Sequence, residues 1–338
     1  MPVAETRAAT RADKGHAVNR RHTAMRINRE ILAIYWELAR IIVPIAIAAK
    51  VLTEIGAIKA IAPYLSGIMG LFGLPPEMAI AWLTGLLVGI WAGVTVVFTL
   101  MAPGALTEAD MTVFATLLLF AHALPVEQRI IQKAGPGLIA STGIRIAGGM
   151  LYALILHHIF KATGWLSAPL DPIWLPADES SGWGAFFIDL GMSLMLMFVI
   201  LFALTWAIEG LKYYGAMEYV DRALSPLFRL VGIGREAASF TTIGMLLGVA
   251  FGGGLLIREA RRGTIPPRQI FLSCAFMGLA HGIIEDTIVV VAAGADLVSV
   301  LLGRLAFAMV ATAAIGLWLA MTSDATFYRR LFSRPAGA

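Results

Sequence analysis

Sliding the chain along itself by 159 residues superimposes two halves without a gap. Gly56 falls on Gly215, Ser66 on Ser225, Gly73 on Gly232, Gly85 on Gly244 and Gly89 on Gly248. Further along, Gly93 meets Gly252, Gly104 meets Gly263, His122 meets His281, Gly135 meets Gly294 and Arg145 meets Arg304, while Glu127 meets Asp286 with its charge kept. One register held over about ninety positions marks an internal duplication, and a duplicated chain folds as two copies of one unit. Each copy runs in the same order. An apolar helix (38–55 and 186–209) leads to an amphipathic piece (57–72 and 216–231). A long apolar segment broken by glycines follows (76–102 and 235–261), then two more apolar helices (110–133 with 138–160, 269–293 with 296–321).

Composition sets the solvent. The 338 residues are 59% hydrophobic and 14% charged, against about 25% charged in soluble domains. Several apolar runs approach the roughly 20 residues that cross a bilayer. The chain is expected to be an all-α polytopic membrane protein. Residues 1–30 are basic and lack the apolar core and cleavage site of a secretory signal; they are expected to form a cytoplasmic tail rather than a nucleic-acid arm, since basic flanks are common beside spans. The single cysteine, Cys274, excludes an intrachain disulfide.

The glycine-broken segment has two possible courses. About thirteen residues precede its break, roughly 20 Å of helix, which is too short to cross. It is either one kinked span or a re-entrant hairpin of two half-helices. Arg235, Arg258, Arg261, Arg262 and Arg268 flank both ends of the second copy, whereas Glu77, Glu108 and Asp110 flank the first. Basic residues favour the cytoplasm, so each segment keeps both ends on one side, inside for the second copy and outside for the first. The expected fold has about six spanning helices, two re-entrant hairpins and two amphipathic interfacial helices, arranged as inverted repeats. Its parts are a tail (1–30), a first repeat (31–160), an extracytoplasmic loop (161–184) with Asp171, Asp178 and Glu179, a second repeat (185–321) and a cytoplasmic tail (322–338). Ten full crossings satisfy much of the same charge pattern but place Arg235 outside. Inverted repeats whose broken helices meet near the midplane are a transporter architecture.

The stretches "GLPPEMA", "GIGREAA", "GVAFGGGLLIREARRG" and "GLAHGIIEDTIVVVAAGAD", in this twice-used order, resemble the Gate, or nucleoside-recognition, membrane family. That family includes the membrane gates of ferrous iron transport protein B, spore maturation proteins A and B, and the core of concentrative nucleoside transporters. The resemblance covers about residues 38–321. It implies a double-Gate fold in a bacterial inner membrane and transport of a small solute, with ferrous iron among the substrates. No P-loop GxxxxGK[ST] occurs, nor the cysteine-containing gate motif, the Asn-rich spore maturation motif or a polar hairpin tip, so the fold transfers better than the substrate.

His122 lies eleven residues from Lys133, roughly 16 Å from its helix end and near the middle of a roughly 30 Å core. His281 is its counterpart. A continuous helix would place Glu285 on the face of His281, one turn on, while Pro125 would break the helix after His122. His122, His281 and Glu285 offer imidazole nitrogen and carboxylate oxygen, a set suited to a borderline divalent ion. Hydrogen bonds to hairpin backbone or a proton relay are the other uses of such histidines. The hairpin tips add Thr95, Gly93 and Gly252 as candidate substrate contacts. Glu127 with Arg145, and Asp286 with Arg304, are expected to form buried ion pairs, as intramembrane charges commonly do. No HExxH, GxSxG or nucleophile–base pattern appears. The expectation is therefore a non-enzymatic transporter with no resident cofactor, partnered by the bilayer and a small solute or divalent ion, with a homodimer possible and no nucleic acid involved. A nucleoside carrier and a non-transporting accessory subunit are the alternatives.

Overall fold

A computed structural model describes residues 25–333 apart from 26, 30, 34, 37, 38, 41, 45, 49, 52, 53, 102, 174–181 and 214–215. Most of the basic tail, part of the first expected span, the Asp178 and Glu179 portion of the loop and the last five residues thus lie outside the described set. Within it the chain is helical, with no strand.

Glycines and prolines divide the chain. Residues between 25 and 51 are helical wherever described. Helix α1 (Ala57–Leu71) ends before Gly73, whose φ of 69° needs no Cβ. Next come α2 (Met78–Leu87) and α3 (Ile90–Leu100), separated at Gly89 with φ 150° and ψ 174°. Helix α4 (Glu108–Phe120) starts on a capping box, in which Thr107 Oγ1 accepts from the Asp110 N–H and the Asp110 carboxylate accepts from the Thr107 N–H. Helices α5 (Leu124–Ala134) and α6 (Leu138–Thr163) complete the first set. The second consists of α7 (Trp183–Tyr213), α8 (Ala216–Leu230), α9 (Ala238–Arg261), α10 (Pro267–Ala280), α11 (Glu285–Ala292) and α12 (Arg304–Met321), the last entered through a π turn at Val298–Gly303. A short α13 (Asp324–Arg330) follows Ser323, whose hydroxyl caps it.

The 159-residue offset recurs in the backbone. Helices α1 and α8 start and stop in register, α4 and α10 start in register, and α9 breaks at Gly248 (φ 78°, ψ 168°), the counterpart of Gly89. Positive φ recurs at Gly73 and Gly232, at Gly135 and Gly294, and at Ala123 and Gly282.

Helices α2 and α3 fold back on each other. Gly85 and Gly93 would stand about 12 Å apart along one continuous helix. Instead, a Cβ placed on Gly85 would lie 3.6 Å from the Gly93 Cα, and Leu118 of α4 fills the remaining space beside both. Only glycine lets the two backbones approach this closely.

Helices α4 and α10 form the centre, with every residue buried from Met111 to Phe120 and from Ile270 to Ala280. Helices α7 and α12 form part of the outside. They present Phe187, Ile188 and Met192, and Val310, Leu317 and Trp318, as exposed apolar side chains. Such a belt would be a liability in water and is the ordinary surface of a protein in hydrocarbon. Four stretches among the described residues are long and apolar enough to cross a bilayer: Glu108–Ala134, Leu138–Thr163, Pro267–Ala292 and Val298–Met321. Two of these four are broken in the middle. The other two expected spans, 38–55 and 186–209, run over residues whose backbone or side chains lie partly outside the described set. The molecule is an all-α integral membrane protein, with lipid against its apolar belt.

Candidate functional site

Both interior helices stop at a histidine. Helix α4 ends at Phe120, and the chain turns through Ala123 (φ 44°, ψ 34°) before Pro125, which lacks the N–H needed to continue the earlier helix. Helix α10 ends at Ala280. His281 is extended (φ −97°, ψ 170°), Gly282 has φ 57°, and α11 begins at Glu285. A break this deep frees backbone groups that no water can satisfy. The N–H groups just past each break turn to the glycine-broken segments. Ala123 donates to the Gly85 carbonyl at 3.0 Å, and Ile283 donates to the Met245 carbonyl at 3.4 Å.

The freed carbonyls are taken by the two buried arginines. Arg145 Nε donates to the Phe120 carbonyl at 2.7 Å, and its Nη2 donates to that of His122 at 3.3 Å. The second copy repeats this 159 residues later. Arg304 Nε donates to the Leu279 carbonyl at 2.9 Å, and its Nη2 donates to that of His281 at 3.0 Å. Arg304 Nη2 also donates across to the Leu119 carbonyl at 2.7 Å. The arginines therefore terminate the broken helices, a role the sequence reading missed. The available signal was their fixed position, 25 residues after Phe120 and after Leu279.

The histidines turn inward. Each Nδ1 lies 2.8 Å from the carbonyl four residues earlier, Leu118 for His122 and Met277 for His281. A carbonyl only accepts, so Nδ1 carries the proton, and in the neutral ring Nε2 is left with a lone pair, which at His281 lies 3.5 Å from Arg145 Nη2. The two rings are 5.1 Å apart between centroids. Glu127 lies between them, with Oε1 3.5 Å from His122 Nε2 and Oε2 3.3 Å from His281 Nε2. One ligand atom from each of His122, Glu127 and His281 lies within 4.8 Å of the other two, and all three residues are buried. Two imidazoles and a carboxylate, each imidazole oriented by a backbone carbonyl, form a donor set suited to a borderline divalent ion.

Two expectations are corrected here. Glu285 does not join the histidines: α10 ends before it, and it stands exposed at the start of α11 between exposed Ile284 and Ile288. The reading of a shared face assumed a helix running unbroken through His281. Glu127, expected in an ion pair, is the carboxylate that lies between the two histidines. The second correction concerns the ion pairs. Arg145 Nη1 does donate to Glu127 Oε2. The equivalent Arg304 Nη1 has no hydrogen-bond partner, nor has Asp286 Oδ2, which instead lies 3.7 Å from His122 Nε2. An Asp side chain is one methylene shorter than Glu and does not bridge to its arginine. Leaving such a buried group unpaired costs about 1–3 kcal/mol.

Gly93 packs on Gly85 and Leu118, Gly252 is buried within α9, and no hydrogen bond among the described residues joins Thr95 to the histidines. The glycines at 85 and 93 let the chain turn back on itself.

Residues 35–137 match the Gate family, described as nucleoside recognition, as the sequence motifs indicated. Over 284 residues the chain is 25% identical to the uncharacterized membrane protein YvoD of Bacillus subtilis (strain 168), an alignment covering 83% of this chain and 89% of that protein. No solved structure matches.

Proposed function

We propose that the protein is a secondary transporter that carries a divalent cation across the membrane by alternating access, with His122, Glu127 and His281 as its ligands. The observation behind this reading is the pair of buried Nε2 lone pairs, each fixed by a Nδ1 hydrogen bond to a carbonyl and both facing one carboxylate. Glu127 suits the task because its two oxygens point differently. Oε2 is held by Arg145, while Oε1 is nearer His122 and open to a cation. His122, Glu127, Arg145, His281 and Arg304 are all buried, which fits an occluded state between two openings. No enzymatic step belongs to this reading. The protein lies in a bacterial inner membrane with both termini cytoplasmic.

In this proposal the two halves are inverted repeats, 31–160 and 185–321, and their glycine-broken segments are re-entrant hairpins. The fold-back at Gly85 and Gly93 supports this course, as does the swap from acidic to basic flanks. Ala105 and Thr264 are exposed, lie 159 residues apart and follow the two broken segments. In an otherwise cysteine-free chain, cysteines at these positions are expected to react with an impermeant thiol reagent from opposite sides of the membrane. Labelling of both from one side would refute the inversion.

A nucleoside or similar small organic solute is the second reading, favoured by the nucleoside-recognition description of the matching family. Protein in liposomes separates the readings. Time-dependent uptake of Fe²⁺ or Mn²⁺, competed by other divalent ions and not by uridine, is the expected result. Uridine uptake without cation uptake would favour the second reading, and uptake of neither would leave an accessory role.

A further inference from the structure

The two repeats treat their carboxylates differently, and this deepens the reading above, on which it rests. In the first copy Glu127 is engaged by Arg145, so its charge is already answered. In the second, Asp286 keeps its buried Oδ2 without a hydrogen-bond donor, and Arg304 keeps its buried Nη1 without an acceptor. Asp286 leans away from its arginine and across to the other repeat, 3.7 Å from His122 Nε2. The backbone beneath it is adapted to that pose. A Cβ on Gly282 would collide with the Asp286 carboxylate, and Gly282 has φ 57°. Its counterpart, Ala123, carries a Cβ at φ 44°, because the first copy's carboxylate extends to Arg145 instead. The shortened acid and the missing Cβ together hold one carboxylate beside His122.

A divalent cation needs that arrangement. Of the charged groups facing the site other than Asp286, Glu127, Arg145 and Arg304 leave no net negative charge, whatever the imidazoles carry. A dication entering a buried site without a free anion is strongly disfavoured. We propose that Asp286 is the fourth ligand and the residue that makes the site select a divalent cation, and that Arg304 is denied the ion pair its repeat-mate makes so that this carboxylate stays free. On binding, Asp286 Oδ2 joins His122 Nε2, His281 Nε2 and Glu127 Oε1 around the ion, giving two nitrogen and two oxygen donors.

The test lengthens the acid. Asp286→Glu adds the methylene present in Glu127 and lets the carboxylate reach Arg304. Asp286→Asn keeps the length and removes the charge. Co²⁺ binding to full-length purified protein is measured by titration calorimetry and by the visible spectrum of the bound ion, beside thermal unfolding without metal. Both variants are expected to lose affinity for Co²⁺ by about tenfold or more, by analogy with altered support around metal sites. Asp286→Glu alone should also unfold at a higher temperature than the wild type. Wild-type affinity in either variant would overturn the assignment while leaving the three-residue site standing. Absence of Co²⁺ binding by the wild type would overturn both.

Discussion

Arg145→Ala is expected to leave little folded protein. The guanidinium holds Glu127, donates to the carbonyls of Phe120 and His122, and places Nη2 3.5 Å from His281 Nε2. Its loss strands a buried carboxylate, which costs about 3–5 kcal/mol when a buried pair is broken from one side. Each carbonyl left bare adds about 1–3 kcal/mol. Those sums approach the whole stability of an ordinary domain, about 5–15 kcal/mol. Monodisperse yield in detergent and thermal unfolding measure the effect. Arg304→Ala should be milder, since Arg304 caps carbonyls but engages no carboxylate. The double substitution Arg145→Leu with Glu127→Gln should recover part of the loss, because it removes the unpaired charge as well as its partner. Equal damage from the two arginine substitutions would show that the ion pair contributes nothing.

His281→Ala separates the site from the scaffold. The ring's structural ties are the hydrogen bond to the Met277 carbonyl at 2.8 Å and a long one with Arg145 Nη2 at 3.5 Å, so the fold should lose on the order of 1 kcal/mol for each plus some packing. Transport should suffer far more. Altering the groups that merely orient a ligand costs about 10–100-fold in metal affinity, so removing the ligand itself should lower initial cation uptake by about 100-fold or more. His122→Ala should behave alike, since the two residues hold equivalent places. Normal uptake by either variant, with the unfolding temperature scarcely changed, would mean that the rings only satisfy backbone.

Much of the fold was legible because its punctuation is chemical. Gly73, Gly89, Gly135 and their counterparts occupy backbone conformations that disfavour other residues, so their spacing carried the architecture directly. Pro125 likewise announced the break after His122. The error over Glu285 came from reading His281 by helical periodicity while its repeat-mate was read by proline chemistry. Carrying the break from the first copy to Ile284 would have ended α10 before Glu285 and removed it from the histidine face. The placement of Glu127 between the histidines was hidden for a different reason. An acid with a basic partner in the next helix looks like a closed ion pair, and sequence does not show that a carboxylate has a second oxygen to offer. Nor does spacing alone reveal that Asp in place of Glu leaves Arg304 short of a partner. That depends on a single methylene measured against a fixed backbone.

The bond from Arg304 to the Leu119 carbonyl joins residues 185 positions apart. During biosynthesis the first repeat is made and enters the membrane well before this donor exists. At about 5–20 residues per second, the interval is on the order of 10–40 s. Throughout that time the end of α4 has only its own arginine to close it, and the Leu119 carbonyl must be served by something else. The nascent first half is therefore an incomplete assembly that the insertion machinery has to shelter. Arg304 then supplies a polar contact that holds the two copies together.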